Sequence, residues 1–432
     1  MLLFIVDVHI ILFIQMKLME GMKMKFEKLL KGGFAVMLAV SMMACSGNES
    51  SNGGSSDEGN ASEPSGETSD VAKIKVGMSG PLTGDAAIYG VAVQRGAEIA
   101  IEELNDLGNE IQFELNAQDD EADPEKSPNA YGVLKDWGMQ ISLGCVTSGA
   151  GAAVSADYQA DKIFAITPSG SSTDVIFNSA TNEPYGNVFQ MCFTDPNQGV
   201  ASADYLKAHE DLGTKVAVIW KNDDNYSTGV YNKFIARAEE VGLEVVSDTT
   251  FSDANANDFS VQVKDAQDSG ADVLFLPIYY TPAAQILIAA DQAGYKPTVF
   301  GIDGMDGILG VENFDTSLAE GVYLLTPFSA DATDPQTVSF VSTYQEKYGE
   351  IPNQFAADAY DVVYAYYNAC KNAGITADMS AQDICDKMVE QFTTMTFDGI
   401  TGTGMTWSEN GEVSKDPKAM VIQNGAYVGV ND

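Results

Sequence analysis

The sequence predicts an α/β protein of two lobes, each a parallel sheet covered by helices on both faces. Three observations predict it. Short apolar runs alternate with longer amphipathic ones through most of the 432 residues, which is β-α-β-α order. The short runs are nearly continuous in apolar residues instead of alternating, as strands buried on both faces require. The rhythm also breaks and restarts around Cys192–Gly199, in a chain longer than one core usually organises.

In chain order, Lys23, Lys25, Lys28 and Lys31 precede an apolar run from Phe34 to Ala44, the charged-then-apolar order of a secretory signal. That run is too short to cross a bilayer comfortably. Ala44 before Cys45 resembles a bacterial lipoprotein signal, with Met42 where leucine is usual, and cleavage there would leave Cys45 as a first residue carrying diacylglycerol. The competing reading is a cysteine buried in an apolar helix, and the polar chain after Cys45 weighs against it. A second apolar run, Leu2 to Ile14, does not suit a single signal and points to a true start at Met22 or Met24. Residues 1–44 are therefore expected to be signal peptide. Residues 45–72 are expected to be the lipidated cysteine and a flexible tether, too poor in large apolar side chains to fold. Removing residues 1–44 from 432 leaves 388, again the length of two lobes.

Strands are expected at Ile74–Ser79, Ile111–Ala117, Ile141–Val146, Ile163–Thr167, Val216–Trp220, Leu243–Thr249, Val273–Pro277, Thr298–Gly301 and Val322–Thr326. Helical patterns fall between them at Ala87–Asn105, Glu125–Trp137, Ala150–Gln159, Gln198–His209, Thr228–Val241, Phe259–Asp268 and Pro282–Ala293. The turn-rich FTDPNQG after Cys192 reads as a crossover, and a second break comes near Thr326-Pro327-Phe328, after which the chain turns helical from Asp334 to Gln391. Clefts of such lobes lie at the carboxyl ends of the strands.

The net charge of −39, from 62 acidic and 23 basic residues, repels nucleic acid and anionic lipid, so neither is an expected partner. Cys145, Cys192, Cys370 and Cys385 form no C-x-x-C pattern, and the only histidines are His9 and His209, so no zinc cluster and no metal or cofactor is expected. Pairing of Cys370 with Cys385, or of Cys145 with Cys192, stays open beside the reading that these are small buried hydrophobes. G-x-S-x-G, the phosphate-binding G-x-x-x-x-G-K-[ST] and H-E-x-x-H are all absent, and no enzymatic activity is expected. Asp253–Asp258 imitates the start of a calcium loop but has no glycine at the sixth place and Lys264 at the twelfth.

The strand-to-helix turns carry the chemistry. Ser79–Gly84, Thr147–Gly151 and Pro168–Thr173 are rich in glycine and hydroxyl residues; at a helix start they leave N–H groups pointing outward, where the dipole favours a carboxylate. Ordinary N-capping explains any one of them, but three turns converging on one strand edge are harder to dismiss. The second half offers Asn225-Tyr226, Tyr279-Tyr280 and Gly301–Gly304, in which an acid can pair with an ammonium and tyrosines form apolar walls with a polar tip.

From Ile74 onward the chain resembles type I periplasmic solute-binding proteins of the branched-chain amino-acid class, the receptors of ABC importers. The resemblance rests on VGMSGPLTG with the Tyr89-Gly90 step, the Ser148 turn followed by ITPSGSST, PIYY, and TWSENGE near the end. It implies two Rossmann-like lobes joined by crossover hinge segments, with residues 73–194 and 327–417 in one and 195–326 and 418–432 in the other. It also implies that Ser148, Gly170 and Ser171, with Ser169 and Ser172 as neighbours, hold a ligand carboxylate. Asp303 stands where the family has the glutamate that holds the ammonium, and Tyr89, Val146, Thr147, Tyr226 and Tyr279 form the side-chain walls. Asp303 is one methylene shorter than that glutamate, so the ammonium sits differently, is reached through water, or is held by another acid such as Asp358. Thr147 replaces a cysteine that is disulfide-bonded in the best-known members. The expected protein is a monomeric, membrane-tethered receptor on the outer face of the cell membrane, delivering an amino acid to permease subunits. A stand-alone sensory module, or a receptor for a small amide or aromatic acid, are the alternatives.

Overall fold

Two separate sheets take up the alternation in the computed structural model, which describes residues 71–430. Cys45, the expected signal and most of the expected tether lie outside the described residues. The first sheet is built from β1 (Ile74–Gly80), β2 (Phe113–Asp119), β3 (Ile141–Cys145), β4 (Phe164–Thr167) and β7 (Val188–Gln190), in the order β2-β1-β3-β4-β7 and parallel throughout. Its connections are α1 (Ala87–Asp106), α2 (Ser127–Trp137) and α3 (Ser148–Asp161), with a small hairpin of β5 (Phe177–Asn178) and β6 (Glu183–Pro184) before β7.

The chain then passes into α4 (Asp195–Ala208), β8 (Lys215–Lys221), α5 (Asn225–Val241), β9 (Glu244–Phe251), α6 (Ser260–Asp268), β10 (Val273–Leu276), α7 (Tyr280–Ala293), β11 (Thr298–Gly301) and β12 (Tyr323–Thr326). After β12 come α8 (Pro335–Tyr348), α9 (Gln354–Ala373) and α10 (Ala381–Phe392), of which α9 packs on α1 and α10 on β4 and β3. The chain finally returns to the second sheet as β13 (Lys418–Gln423) and β14 (Ala426–Gly429). That sheet runs β14-β13-β12-β11-β10-β8-β9, parallel from β12 to β9 and antiparallel at the β13–β14 edge. Three segments thus run between the two lobes: after β7, after β12 and before β13.

All nine expected strands are present, with ends within two residues of those read from the pattern. Strand runs such as Val273–Leu276 are buried at every position, which is why they do not alternate. Elements end where local chemistry ends them: α5 and α7 stop on Gly242 and Gly294, both in the left-handed conformation that glycine adopts without strain. Thr194 and Asp224 start α4 and α5 by accepting the Asn197 and Ser227 N–H groups. The helical stretch expected from Asp334 is three helices, broken at Gly349–Asn353 around Pro352 and at Gly374–Ser380.

Strands β5, β6, β7, β13 and β14 went unforeseen. β7 is only three residues long, Val188–Gln190, and sits between turns, so it offers no period to read. Cys145, Cys192, Cys370 and Cys385 are all free and buried, which settles the open pairing in favour of small core side chains. Among the described residues no helix is long and apolar enough to cross a membrane.

Candidate functional site

Residues that follow the carboxyl ends of strands in both sheets meet around one cavity with about 240 Å³ of empty space. The first lobe supplies Tyr89 from α1, Val146, Thr147 and Ser148 after β3, Ser169 and Ser171 after β4, and Phe355 from α9. The second lobe supplies Tyr226 after β8, Tyr279 after β10, and Asp303 and Gly304 after β11.

On the first-lobe side two turns are stitched together. Ser148 Oγ accepts from the Ser172 N–H at 3.1 Å, Ser169 Oγ donates to the Val146 carbonyl, and Gln190 Nε2 donates to the Gly170 and Ser172 carbonyls at 2.7 and 3.1 Å. Thr147 is the residue before α3 but makes no capping bond, so the N–H groups of that helix start are not closed off by its side chain. A carboxylate is the group such a start favours. Gly170 is the exception among the expected site residues. It does not line the cavity, and its N–H donates to Thr167 Oγ1 at 2.7 Å.

The second-lobe side centres on Asp303, which is only 3% exposed. Tyr226 donates its hydroxyl to Oδ1 at 2.6 Å and Gln198 its amide to Oδ2 at 2.8 Å. Burial pushes the carboxyl from 3.8 up to about 7, and these two bonds oppose the rise. A carboxylate held this way gains most from a cation that enters the cavity. Asp358, the alternative acid, is instead committed to Lys415, whose Nζ lies 2.6 Å from its Oδ1. Neither lines the cavity.

Aromatic rings fill the space between the two polar sides. Tyr226 and Tyr279 stack with centroids 5.2 Å apart, while Tyr89 meets Tyr279 edge-on at 5.3 Å and Phe355 at 4.6 Å. Tyr89 also donates its hydroxyl across the lobes to the Gly304 carbonyl. Further bonds between the lobes run from Asn225 Nδ2 to Asp174 Oδ2 at 2.9 Å, and from Thr281 Oγ1 to the Asp85 carbonyl at 2.8 Å. This is a closed arrangement. Gly304 has no room for a side chain, since a Cβ there would lie 2.6 Å from the Tyr226 hydroxyl.

Gly304, Phe355 and Gln198 were not anticipated as site residues. Gln198 lay within the FTDPNQG crossover and Gly304 directly after Asp303, so both had a neighbouring signal; Phe355 had none, being brought in by α9 from the far side of the second break. Among the described residues no group of three or more His, Cys, Asp or Glu side chains is placed to hold a metal ion.

Two parallel-sheet lobes linked by three crossing segments, with a polar and aromatic cavity between strand ends, define a two-lobed binding protein. The chain belongs to the periplasmic binding protein family, whose model matches residues 73–426. Its type I, branched-chain amino-acid-class character is the one the sequence motifs pointed to. A Leu/Ile/Val-binding protein homolog from Brucella melitensis is 28% identical over 320 residues, covering 72% of this chain and 82% of the relative. The fold is similar to that of LivJ, a branched-chain amino acid transporter substrate-binding protein from Streptococcus pneumoniae solved with isoleucine, at a TM-score of 0.72 and 25% identity over 83% of this chain and 100% of that one. It is equally similar, at a TM-score of 0.72 and 19% identity over 83% and 95%, to an ABC transporter solute-binding protein from R. palustris solved with benzoate.

Proposed function

We propose that this protein is the extracytoplasmic receptor of an ABC importer, that it captures an α-amino acid of the branched-chain or a related type, and that it works as a monomer held to the outer face of the membrane by lipid on Cys45. The observation that carries the amino-acid reading is the pairing of unlike sides. A helix start at Ser148, with Ser171 from the neighbouring turn after β4, faces the buried Asp303 carboxylate across one small cavity. Those are the complements of an α-carboxylate and an α-ammonium.

In the proposed cycle the first lobe takes the carboxylate, and rotation about the three crossing segments brings up the second lobe, with Asp303 and the Tyr226 and Tyr279 walls completing the cage. The closed form, with its Tyr89–Gly304 and Asn225–Asp174 bonds, is then what a permease reads and opens. A calorimetric screen of the purified protein over the common amino acids, small amides and aromatic acids tests the reading: micromolar or tighter binding of an amino acid supports it, and binding confined to compounds without an amine overturns it.

Ser148→Ala is expected to weaken binding of that amino acid by roughly 1.5–3 kcal/mol, about tenfold or more, through loss of a charge-assisted hydrogen bond. Because Ser148 Oγ also accepts the Ser172 N–H, the empty variant should lose about 1 kcal/mol of stability as well. Unchanged affinity in titration calorimetry would move the carboxylate away from this turn.

For the anchor, mass spectrometry of membrane-extracted protein is expected to find Cys45 as a diacylated N-terminus. Cys45→Ser should shift the protein to the soluble fraction. An unmodified N-terminus, together with a variant that still sediments with membranes, would remove the anchor.

A further inference from the structure

Four other hydroxyls of the cavity wall are already engaged. Tyr89 donates to the Gly304 carbonyl, Tyr226 donates to Asp303, Ser169 donates to the Val146 carbonyl, and Ser148 accepts from the Ser172 N–H. The Tyr279 hydroxyl has the Ser148 N–H as a hydrogen-bonding neighbour. Thr147 differs. It lines the cavity, is 4% exposed, and its Oγ1 is buried without a hydrogen-bond partner, although as the residue before α3 it is placed to cap that helix and does not. A buried hydroxyl left unpaired is costly, and a pocket holding one discriminates against a ligand that cannot pair with it.

We infer that Thr147 Oγ1 is a specificity group that receives a hydroxyl on the ligand's side chain, so that the preferred ligand is a small α-amino acid with a side-chain hydroxyl rather than a purely aliphatic one. The inference rests on the amino-acid reading above and narrows it. Tyr89, Tyr279 and Phe355 pack edge to face around the cavity, so a ligand side chain there meets apolar walls beside the Thr147 hydroxyl. Threonine and valine have nearly the same shape and differ by this hydroxyl, and so do Thr147 and its Thr147→Val variant, which makes a four-way comparison that isolates one hydrogen bond.

The test is titration calorimetry of the wild type, Thr147→Val and Thr147→Ser with threonine, valine, serine and alanine, with thermal melting of each empty protein to verify folding. The expected result is that the wild type binds threonine at least about tenfold more tightly than valine, that Thr147→Val loses or reverses this preference, and that Thr147→Ser keeps it. A wild type that binds valine as tightly as threonine overturns the inference while leaving the amino-acid reading intact. So does a Thr147→Val variant that weakens both ligands equally, since the hydroxyl would then serve their shared carboxylate. If none of the four amino acids binds any of the folded proteins, the inference falls, and the amino-acid reading beneath it stands or falls separately on the screen over the common amino acids.

Discussion

Asp303→Asn is expected to weaken amino-acid binding by about 3–5 kcal/mol, a hundredfold or more, because the ligand ammonium would be left in a buried site without its counter-charge. The fold should survive the change. The substituted amide keeps an oxygen for the Tyr226 hydroxyl, and Gln198, whose Oε1 has no partner, can turn its own amide to accept from the new NH₂ group. The pH dependence gives a second readout. Burial raises the Asp303 carboxyl from 3.8 to about 7, so between those values the folded chain keeps a proton that the unfolded chain has lost. The empty protein therefore loses stability from this group as pH rises through that window, with the full cost present above pH 7. An ammonium ligand removes the cost, so wild-type affinity should climb from pH 5 to 7 and level off above, while Asp303→Asn should lack that component. Calorimetry of both proteins with one ligand decides the matter: a change below about twofold, roughly 0.4 kcal/mol, would place the ligand's amine elsewhere or indicate a ligand without one.

Lys415→Met carries the largest expected effect on stability. Lys415 and Asp358 are 0% and 1% exposed at their side chains, and Lys415 Nζ reaches Asp358 Oδ1 at 2.6 Å and Thr401 Oγ1 at 2.7 Å. Asp361 lies in the same cluster, accepting the Ile400 and Thr401 N–H groups at 3.0 and 2.9 Å. Removing the Lys415 cation strands buried negative charge, which typically costs about 3–5 kcal/mol, a melting-temperature loss of several degrees. Even with Lys415 in place, burial holds the Asp358 carboxyl up at about 6, so protonation relieves the variant at low pH and its deficit should grow as pH rises past that point. The double variant Lys415→Met, Asp358→Leu should regain much of the loss, because an apolar pair of similar volume replaces the ion pair. Melting curves of the two variants at pH 5 and pH 8 test this; a double variant no more stable than the single one would mean that lost packing, not stranded charge, accounts for the damage.

Both residues bear on how the molecule was legible before its structure. Lys415 sits in the segment that leads into β13, in a stretch with no helical or strand period, and nothing near it in the chain announces a buried cation. Its partner is 57 residues away, so only the folded chain pairs them. Asp303 was legible as an acid at a strand-to-helix turn. Its two donors were not, since Gln198 lies 105 residues distant and Tyr226 lies 77.

What the sequence determined by itself is what short-range physics writes. The continuous apolar runs, the amphipathic periods and the breaks around Cys192–Gly199 and near Thr326-Pro327-Phe328 sufficed for parallel sheets in two lobes, and the small-residue turns marked one side of the cavity in Ser148, Ser169 and Ser171. The tertiary structure decided the rest. It turned the Gly170 N–H back onto Thr167, closed Lys415 on Asp358, brought Phe355 into the wall from α9, and left Thr147 Oγ1 without a partner. Periodicity and capping depend on neighbours within a turn or two of chain, whereas the direction of a buried donor depends on which distant groups packing places beside it.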